Sequence, residues 1–308
     1  MNPGERTEAQ KREYKIGWLC AVSCGIIWGG LPIYWKQLDF IMPVLAMFYR
    51  LSLACLLVFL IDLKIYGWKQ IVEPLKERGA LWSYLLSGGL ISINWSLYIY
   101  MVNVGKVIQT SIGYYIEPLV IAVFGLLFFR EKFDRYKAAA LGLAVIGVLI
   151  MVLSYGQLPV LALLLAVSFG GYAVVKKKVN QPAMLALFYE TLVLLPLAVG
   201  FILFMELTGR GAFTTATPVQ LGWLSLSGLV TALPLVLFAM AANRIPLIEL
   251  GLSGYLSPSV ALLLGIFLFG EGFDIYQFIG FCVIWVGLAI FTAGNFIYAR
   301  EQTPGRGV

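Results

Sequence analysis

The chain has 308 residues, of which 60% are hydrophobic and 12% are charged, and its mean hydropathy is +0.88. A water-soluble domain carries about twice that charged fraction and would aggregate if it exposed so much apolar sequence, so the composition excludes a soluble enzyme. The net charge of +6 comes from basic residues in short segments between apolar runs, as in loops that face anionic lipid, which excludes a nucleic-acid partner and predicts an all-α integral membrane protein.

Ten apolar runs follow one another along the chain, and each approaches the roughly 20 residues that a helix needs to cross about 30 Å of hydrocarbon. The first run follows Lys11, Arg12 and Lys15, but no cleavage site comes after it, so it is interpreted as a spanning helix and not as a signal peptide. The predicted spans lie near 16–35, 43–62, 80–102, 107–129, 137–154, 157–176, 183–205, 219–242, 246–269 and 273–298.

The basic residues orient these spans. Of the 22 Lys and Arg residues, eighteen lie in segments on the side of the N-terminus, three lie on the opposite side, and Arg50 lies within a span. Cytoplasmic segments are the ones enriched in Lys and Arg. Both termini are therefore expected in the cytoplasm, and the protein is expected in the inner membrane of a bacterial cell.

The chain matches itself at an offset of 140 residues, without a gap. The segment FREKFDRY at 129–136 falls on FGEGFDIY at 269–276, and Pro118 falls on Pro258. The second segment loses only the positive charges, as expected for a loop that has moved to the other face of the membrane. An odd number of helices in each repeat requires this inversion.

The predicted fold is therefore ten transmembrane helices arranged as two inverted five-helix repeats. Two inverted repeats are a recurrent transporter design, with the substrate site near the midplane between them. The predicted divisions are a cytoplasmic tail at 1–15, the first repeat at 16–154, the second repeat at 155–298 and a cytoplasmic tail at 299–308.

Glu117 stands about ten residues into the fourth span, roughly 15 Å deep at 1.5 Å per residue. An ionised carboxylate at that depth has to face protein or water, or become protonated. Pro118 and its equivalent Pro258 remove backbone donors and predict kinks. Glu117 is therefore the candidate for binding a substrate amine or carrying a coupling proton, and a protonated Glu bonded to a neighbouring helix is the structural alternative. Its repeat equivalent is Ser257.

Arg50 and Glu190 occupy equivalent positions in the second and seventh spans, at similar depths. Their opposite charges predict a salt bridge across the repeat axis, either as a gate or as a structural link between the halves. Glu249 lies only a few residues into the ninth span, so it is expected to reach the cytoplasmic surface. The loop carboxylates Glu131 and Asp134, like their equivalents Glu271 and Asp274, are interpreted as helix caps.

No cofactor or metal is expected. The four cysteines lie inside apolar runs and the chain has no histidine, so the side chains for a tetrahedral metal site are lacking. The GxxxxGK[ST] motif of a nucleotide-driven pump does not occur in the sequence. Clustered Asp, His or Ser residues for lipid chemistry are not visible either, so the chain is not predicted to be an enzyme.

Several stretches resemble a known family. They are Trp28-Gly29 through Pro32 to Lys36, Asn94-Trp95, Gly113 to Ile116 before Pro118, Lys177-Lys178, Thr231 to Pro234, and Ile284-Trp285-Val286. With these residues in two repeats, the chain resembles the EamA-type proteins of the drug/metabolite transporter superfamily and, within it, the RarD group. The resemblance covers about residues 16–298 and implies export of small molecules by alternating access.

Aromatic and amide side chains cluster in the helices that this resemblance places at the centre. Such rings offer stacking and cation–π surfaces to an amphipathic or cationic ligand, whereas an interfacial aromatic belt is the alternative. The predicted substrate-binding residues are Trp28, Tyr34, Asn94, Trp95, Tyr98, Gln109, Tyr114, Glu117, Tyr172 and Tyr255.

Two transport hypotheses follow, and one from another class. The first is a secondary exporter of small zwitterionic or amphipathic metabolites, such as amino acids, and the second is a proton-coupled exporter of cationic or chloramphenicol-like drugs. The third is a lipid flippase or a channel. The expected partners are a small-molecule substrate and the lipid bilayer, and the chain is expected to be a monomer or a homodimer.

Overall fold

The computed structural model is all-helical and describes residues 7–301, except for 77, 105, 132–133, 180–181, 269 and 271–273. Most of its helices are long enough to cross a bilayer. They are α1 (Glu8–Trp35), α2 (Pro43–Ile65), α3 (Gly67–Val72), α4 (Arg78–Asn103), α5 (Val107–Phe129), α6 (Arg135–Ser154), α7 (Val160–Val179), α8 (Ala183–Leu207), α9 (Ala212–Thr215), α10 (Pro218–Ala242), α11 (Leu247–Gly254), α12 (Leu256–Phe267) and α13 (Ile275–Glu301).

The first helix begins eight residues earlier than the predicted span. Thr7 and Gln10 form a capping box in which each side chain accepts a hydrogen bond from the other residue's backbone N–H, and such a box starts a helix in polar sequence. Residues 8–15 of the predicted tail are therefore a helical extension of α1. Residues 299–301 of the predicted C-terminal tail belong to α13. Residues 1–6 and 302–308 of the predicted tails lie outside the described residues.

Nine segments of the described chain are long and apolar enough to cross a membrane. The long helix α4 is not among these nine, and it carries Ser, Asn, Trp and Tyr side chains along its length. The bundle surface is strongly apolar, with large side chains such as Leu207, Phe267 and Leu153 exposed by 88%, 82% and 75%. Lipid is the solvent that such a surface suits.

The helix contacts follow the repeat. At the offset of 140 residues, α1, α2, α4, α5 and α6 correspond to α7, α8, α10, the α11–α12 pair and α13. The α1 contacts with α10 and α12 have their counterparts in the α7 contacts with α4 and α5, and the α2–α10 contact has its counterpart between α8 and α4. The equivalent helices α2 and α8, α5 and α11, and α6 and α13 pack directly on each other. The fold therefore has an internal pseudo-twofold axis.

Equivalent helices run antiparallel across that axis, as the glycines of α6 and α13 show. Gly147 lies against the backbone of Gly280, and Gly287 lies against the backbone of Ala140. These are the same contact made once by each repeat, because 147 corresponds to 287 and 140 to 280. Close approach of this kind needs glycine, since a Cβ would collide with the facing backbone.

The two proline-containing equivalents differ. In the second repeat the helix is interrupted at Tyr255, between α11 and α12, just before Pro258. Pro258 has no N–H with which to continue the hydrogen bonding of the preceding turn. In the first repeat α5 continues through Pro118 as one helix. The helix is therefore interrupted in the second repeat and continuous in the first.

The α6–α13 crossing gives a test of the fold. A Cβ at Gly147 would lie 2.6 Å from the carbonyl oxygen of Gly280, whereas a Cβ at Gly142 in the same helix meets nothing within 4 Å. We expect Gly147→Ala to lower the melting temperature of the detergent-purified protein. Gly142→Ala is the matched control and should leave it unchanged or raise it, because alanine is favoured over glycine in helices by about 1 kcal/mol. Equal melting temperatures for the two variants would contradict the crossing.

Candidate functional site

A cavity of about 470 Å³ lies between the two repeats. Its wall is built from α1, α2, α4 and α5 of the first repeat and from α10, α11, α12 and the start of α13 of the second. The volume is in the range of sites for small molecules. The helices that pack across the pseudo-twofold axis therefore enclose the space that a transporter of this design would use.

Six of the ten predicted substrate-binding residues line this cavity: Trp28, Asn94, Trp95, Tyr98, Tyr114 and Glu117. The rings of Tyr98 and Tyr114 pack together with their centroids 6.1 Å apart. The Asn94 side chain is anchored to α7, because its amide nitrogen donates to the Leu165 carbonyl at 2.9 Å and to the Ser168 hydroxyl at 3.3 Å. Whether these residues bind substrate stays a prediction.

The other four residues do not line the cavity, and their partners explain why. The Tyr34 hydroxyl donates to the carbonyl of Trp223, and the Gln109 amide donates to the Tyr155 hydroxyl at 3.0 Å. Tyr172 is fully buried and donates to Glu190 at 3.1 Å. Tyr255 is fully buried in the apolar cluster around Phe281 and Ile284. Helix number and aromatic character could not distinguish these inward-packed rings from cavity-facing ones.

Glu117 and its repeat equivalent Ser257 both line the cavity. The α11–α12 pair, whose second helix carries Ser257, meets α5 where Gly251 and Gly254 of α11 lie against Pro118. Within the described residues, the Glu117 carboxylate has no ion-pair or hydrogen-bond partner, so it faces the cavity and not a counter-charge. A carboxylate in this position is available to a ligand or to a proton.

The predicted Arg50–Glu190 salt bridge is wrong. Glu190 forms its ion pair with Lys176, at 2.7 Å, and both side chains are buried. Arg50 turns away from α8 towards the cavity, where its guanidinium carbon lies 4.9 Å from the ring centroid of Trp35 and 5.5 Å from that of Trp95. The prediction rested on similar depth, and depth does not say to which side of a helix a side chain points.

One end of the cavity is closed by an ion pair between the repeats. Glu249 is only 3% exposed and pairs with Lys137 at 2.9 Å. Its carboxylate also accepts hydrogen bonds from the Tyr14 hydroxyl at 2.5 Å and the Trp18 indole nitrogen at 3.1 Å. The expectation that Glu249 simply reaches the surface is therefore wrong: it joins α1, α6 and α11.

Two further ion pairs lie beside it. The Glu131 carboxylate accepts from the backbone N–H groups of Leu247 and Ile248, at 2.7 and 2.9 Å, and pairs with Lys177 at 3.2 Å. Arg244 pairs with Glu13 at 2.7 Å. Glu131 is thus a helix cap, as predicted, but it caps a helix of the other repeat. We call Lys137, Glu249, Lys177, Glu131, Arg244 and Glu13 the ion-pair cluster.

The remaining predicted caps are Asp134, Asp274 and Glu271. Asp134 caps α6 by accepting from the N–H groups of Tyr136 and Lys137, both at 2.9 Å. Asp274 accepts from the N–H of Tyr276 at 3.1 Å, and Glu271 lies outside the described residues. The acids that follow the proline-containing helices therefore organise helix starts.

The cavity begins just beyond the ion-pair cluster and extends towards the opposite end of the bundle. On α1 its wall runs from Ala21 to Trp35, and on the α11–α12 pair from Leu250 to Ile266. Gln277, near the start of α13, lies at its far end. Gln277 and Gln109 are the repeat equivalents of Lys137 and Glu249. The repeat therefore places an ion pair at the closed end and two neutral amides at the other.

Comparisons with known proteins agree with this architecture. The EamA-like transporter family matches residues 15–153 and 158–293. The Uncharacterized transporter YojE of Bacillus subtilis is 38% identical over 300 residues, which cover 95% of this chain and 99% of that protein. Protein RarD of Streptomyces exfoliatus is 36% identical over 294 residues, and Protein RarD of Escherichia coli K12 is 32% identical over 293 residues. These matches cover 95% of this chain and 93% and 98% of those proteins.

A solved crystal structure shares the fold. It is 15% identical in sequence and superposes with a TM-score of 0.69, covering 90% of this chain and 97% of that chain.

The ion-pair cluster can be tested by stability. Lys137→Met leaves the buried Glu249 carboxylate without its counter-charge, which costs about 3–5 kcal/mol, so we expect a clear fall in the melting temperature in detergent. Adding Glu249→Gln should recover much of the loss, because neither charge is then left buried. Lys11→Met, which breaks the exposed Lys11–Glu8 pair, should change nothing measurable. A double variant as unstable as Lys137→Met would argue against the pairing.

Proposed function

Because the chain belongs to the EamA-like transporter family, we propose that it exports small zwitterionic or amphipathic metabolites, such as amino acids, by alternating access. The observation that carries this proposal is the cavity between the repeats, whose wall holds one carboxylate, Glu117, and one guanidinium, Arg50. The aromatic rings of Trp28, Trp95 and Tyr114 in the same wall suit the body of an amphipathic solute. A secondary transporter needs no cofactor and no enzymatic group.

The proposed topology has ten transmembrane helices, with α4 counted as a span and the α11–α12 pair as one broken span. The repeats at 16–154 and 155–298 then lie in the bacterial inner membrane with opposite orientation, and the tails at 1–15 and 299–308 lie in the cytoplasm. The antiparallel packing of equivalent helices and the distribution of Lys and Arg support this arrangement. The ion-pair cluster then closes the cytoplasmic end, and the cavity opens outwards.

Glu117 is the proposed proton-coupling group. It lies near the middle of α5, faces the cavity and has no partner within the described part of the chain. The other charged or titratable side chains among the described residues of the wall are Arg50, Tyr98, Tyr114, Tyr115 and Cys24. Protonation of Glu117 would remove the charge that holds a cationic group, so binding of a proton and of an ammonium group would compete.

The alternative is a proton-coupled exporter of cationic or chloramphenicol-like drugs, and the same lone carboxylate among aromatic rings favours it. The two functions differ in what drives transport. If proteoliposomes take up a zwitterion without a pH gradient, proton exchange is not obligatory and the metabolite exporter is favoured. A lipid flippase or channel is a weaker candidate, because the cavity is closed at one end and has the volume of a small solute.

The cavity and its carboxylate can be tested together by a thermal-shift screen. We expect at least one amino acid, base or antibiotic to raise the melting temperature of the detergent-purified wild type, and Glu117→Gln to abolish that rise by removing the charge. Glu73→Gln, which changes an exposed acid outside the helix bundle, is the matched control and should respond like the wild type. If Glu117→Gln responds like the wild type to every ligand, Glu117 is not in the site.

The topology can be tested by labelling. In a background with Cys20, Cys24, Cys55 and Cys282 replaced by serine or alanine, Ser111→Cys in the cavity wall should react in intact cells with a membrane-impermeant maleimide. Arg12→Cys on the exposed start of α1 should react only after permeabilisation. The reverse pattern would refute the proposed orientation.

A further inference from the structure

Two charged side chains in the cavity wall have no counter-charge among the described residues, whereas three nearby carboxylates are paired. Among the described residues of the wall, Arg50 is the one basic and Glu117 the one acidic residue, and no ion pair joins them to each other or to another described residue. Nearby carboxylates pair with lysines at 2.7–3.2 Å, in Lys176–Glu190, Lys137–Glu249 and Lys177–Glu131. The helices therefore hold Arg50 and Glu117 open to the cavity.

The surroundings of Arg50 hold its guanidinium without satisfying it. The rings of Trp35 and Trp95 lie 4.9 and 5.5 Å from its central carbon, and cation–π contacts of this kind stabilise a desolvated cation. They involve the faces of the group, whereas its N–H donors point outwards in its plane. Among the described residues its buried Nε has no hydrogen-bond partner. A desolvated guanidinium with free donors is a site for an anion.

We propose that Arg50 is the anion subsite of the cavity and binds the carboxylate of the transported molecule, while Glu117 holds its cationic end. This rests on the proposed transport function and gives it a chemical class: a monocarboxylate, zwitterionic where it also carries an amine. A single guanidinium neutralises one negative charge and matches a carboxylate through two parallel hydrogen bonds. A phosphate carries more charge than the described part of this wall can balance, since that part contains no second basic residue.

The positions of the two charges define the orientation of the bound substrate in the cavity. Arg50 is the eighth residue of α2 and Glu117 the eleventh of α5, so they lie about 10 Å and about 15 Å from the starts of their helices. These helices run in the same direction, because α4 returns the chain between them. The carboxylate would thus sit nearer the open end of the cavity and the amine deeper. The rings of Tyr98 and Tyr114 also line this wall.

The test uses three probes that share an aromatic body and differ in charge: L-phenylalanine, L-phenylalaninamide and benzoate. Binding to the detergent-purified full chain is measured by tryptophan fluorescence, since Trp28, Trp35 and Trp95 line the cavity. The variant Arg50→Lys keeps the charge but loses the planar fork, and Arg210→Lys, in an exposed connection, is the matched control. Melting temperatures confirm that each variant is folded.

We expect the wild type and Arg210→Lys to bind phenylalanine at least tenfold more tightly than its amide, and benzoate to compete with phenylalanine. Arg50→Lys should remove this preference and weaken both carboxylates at least tenfold, whereas Glu117→Gln should keep the binding of benzoate. The proposal is overturned if the wild type binds neither carboxylate, or if it binds the amide as tightly as phenylalanine. It is also overturned if Arg50→Lys binds the carboxylates like the wild type. The amide comparison in the wild type needs no variant to fold.

The outcomes also separate this subsite from the proposed function. If the amide binds as tightly as phenylalanine, depends on Glu117 and is transported by proteoliposomes, the transporter stands and the anion subsite falls. If no probe from this set or from the thermal-shift screen binds and none is transported, both fall.

Discussion

An ionised side chain inside a bilayer needs a counter-charge or water, because hydrocarbon supplies neither. The helices of this transporter meet that requirement in two ways. Lysines neutralise Glu190, Glu249 and Glu131 between packed helices, and the Lys137–Glu249 and Lys177–Glu131 pairs fasten the two repeats together. Arg50 and Glu117 instead face the cavity. The paired charges lie between packed helices, and the two unpaired charges of the cavity wall offer a place for a ligand.

The two repeats are similar in the packing of their helices but differ in the side chains at several equivalent positions. Equivalent helices cross in the same way, as the paired glycine contacts of α6 and α13 show. Arg50 corresponds to Glu190 and Glu117 to Ser257, so the second repeat contributes no charge to the cavity wall from these positions. The symmetry therefore builds the two-sided frame that alternating access needs, and the departures from it give one cavity with a defined polarity.

Much of the fold was predictable from the sequence, because membrane helices are recognised by the length of their apolar runs and repeats by a constant offset. The spans, the repeat and the cavity position of Glu117 follow from those two signals. The surroundings of Arg50 did not follow from these signals, because two residues at one depth can face different neighbours. Lys176 was interpreted as part of a cytoplasmic loop but lies buried in the last turn of α7. The burial of Glu249 is explained by its ion pair with Lys137, which the sequence alone did not predict. Side-chain direction around a helix is a property of packing, which a single sequence does not reveal.

The replacement of the Lys137–Glu249 pair by Gln277 and Gln109 at the equivalent positions has an energetic consequence. In the proposed alternating access, the two ends of the cavity close in turn. Closing the outer end would bring Gln277 and Gln109 together in the way that Lys137 and Glu249 are now paired. A neutral hydrogen bond contributes about 0.5–1.5 kcal/mol, and one to a charged group roughly twice that. Each 1.4 kcal/mol of difference is a tenfold change in population. In the proposed alternating-access cycle, the exchange of these two side chains would bias the empty protein towards opening on one side of the membrane, and the bound solute would have to supply the energy that overcomes this bias.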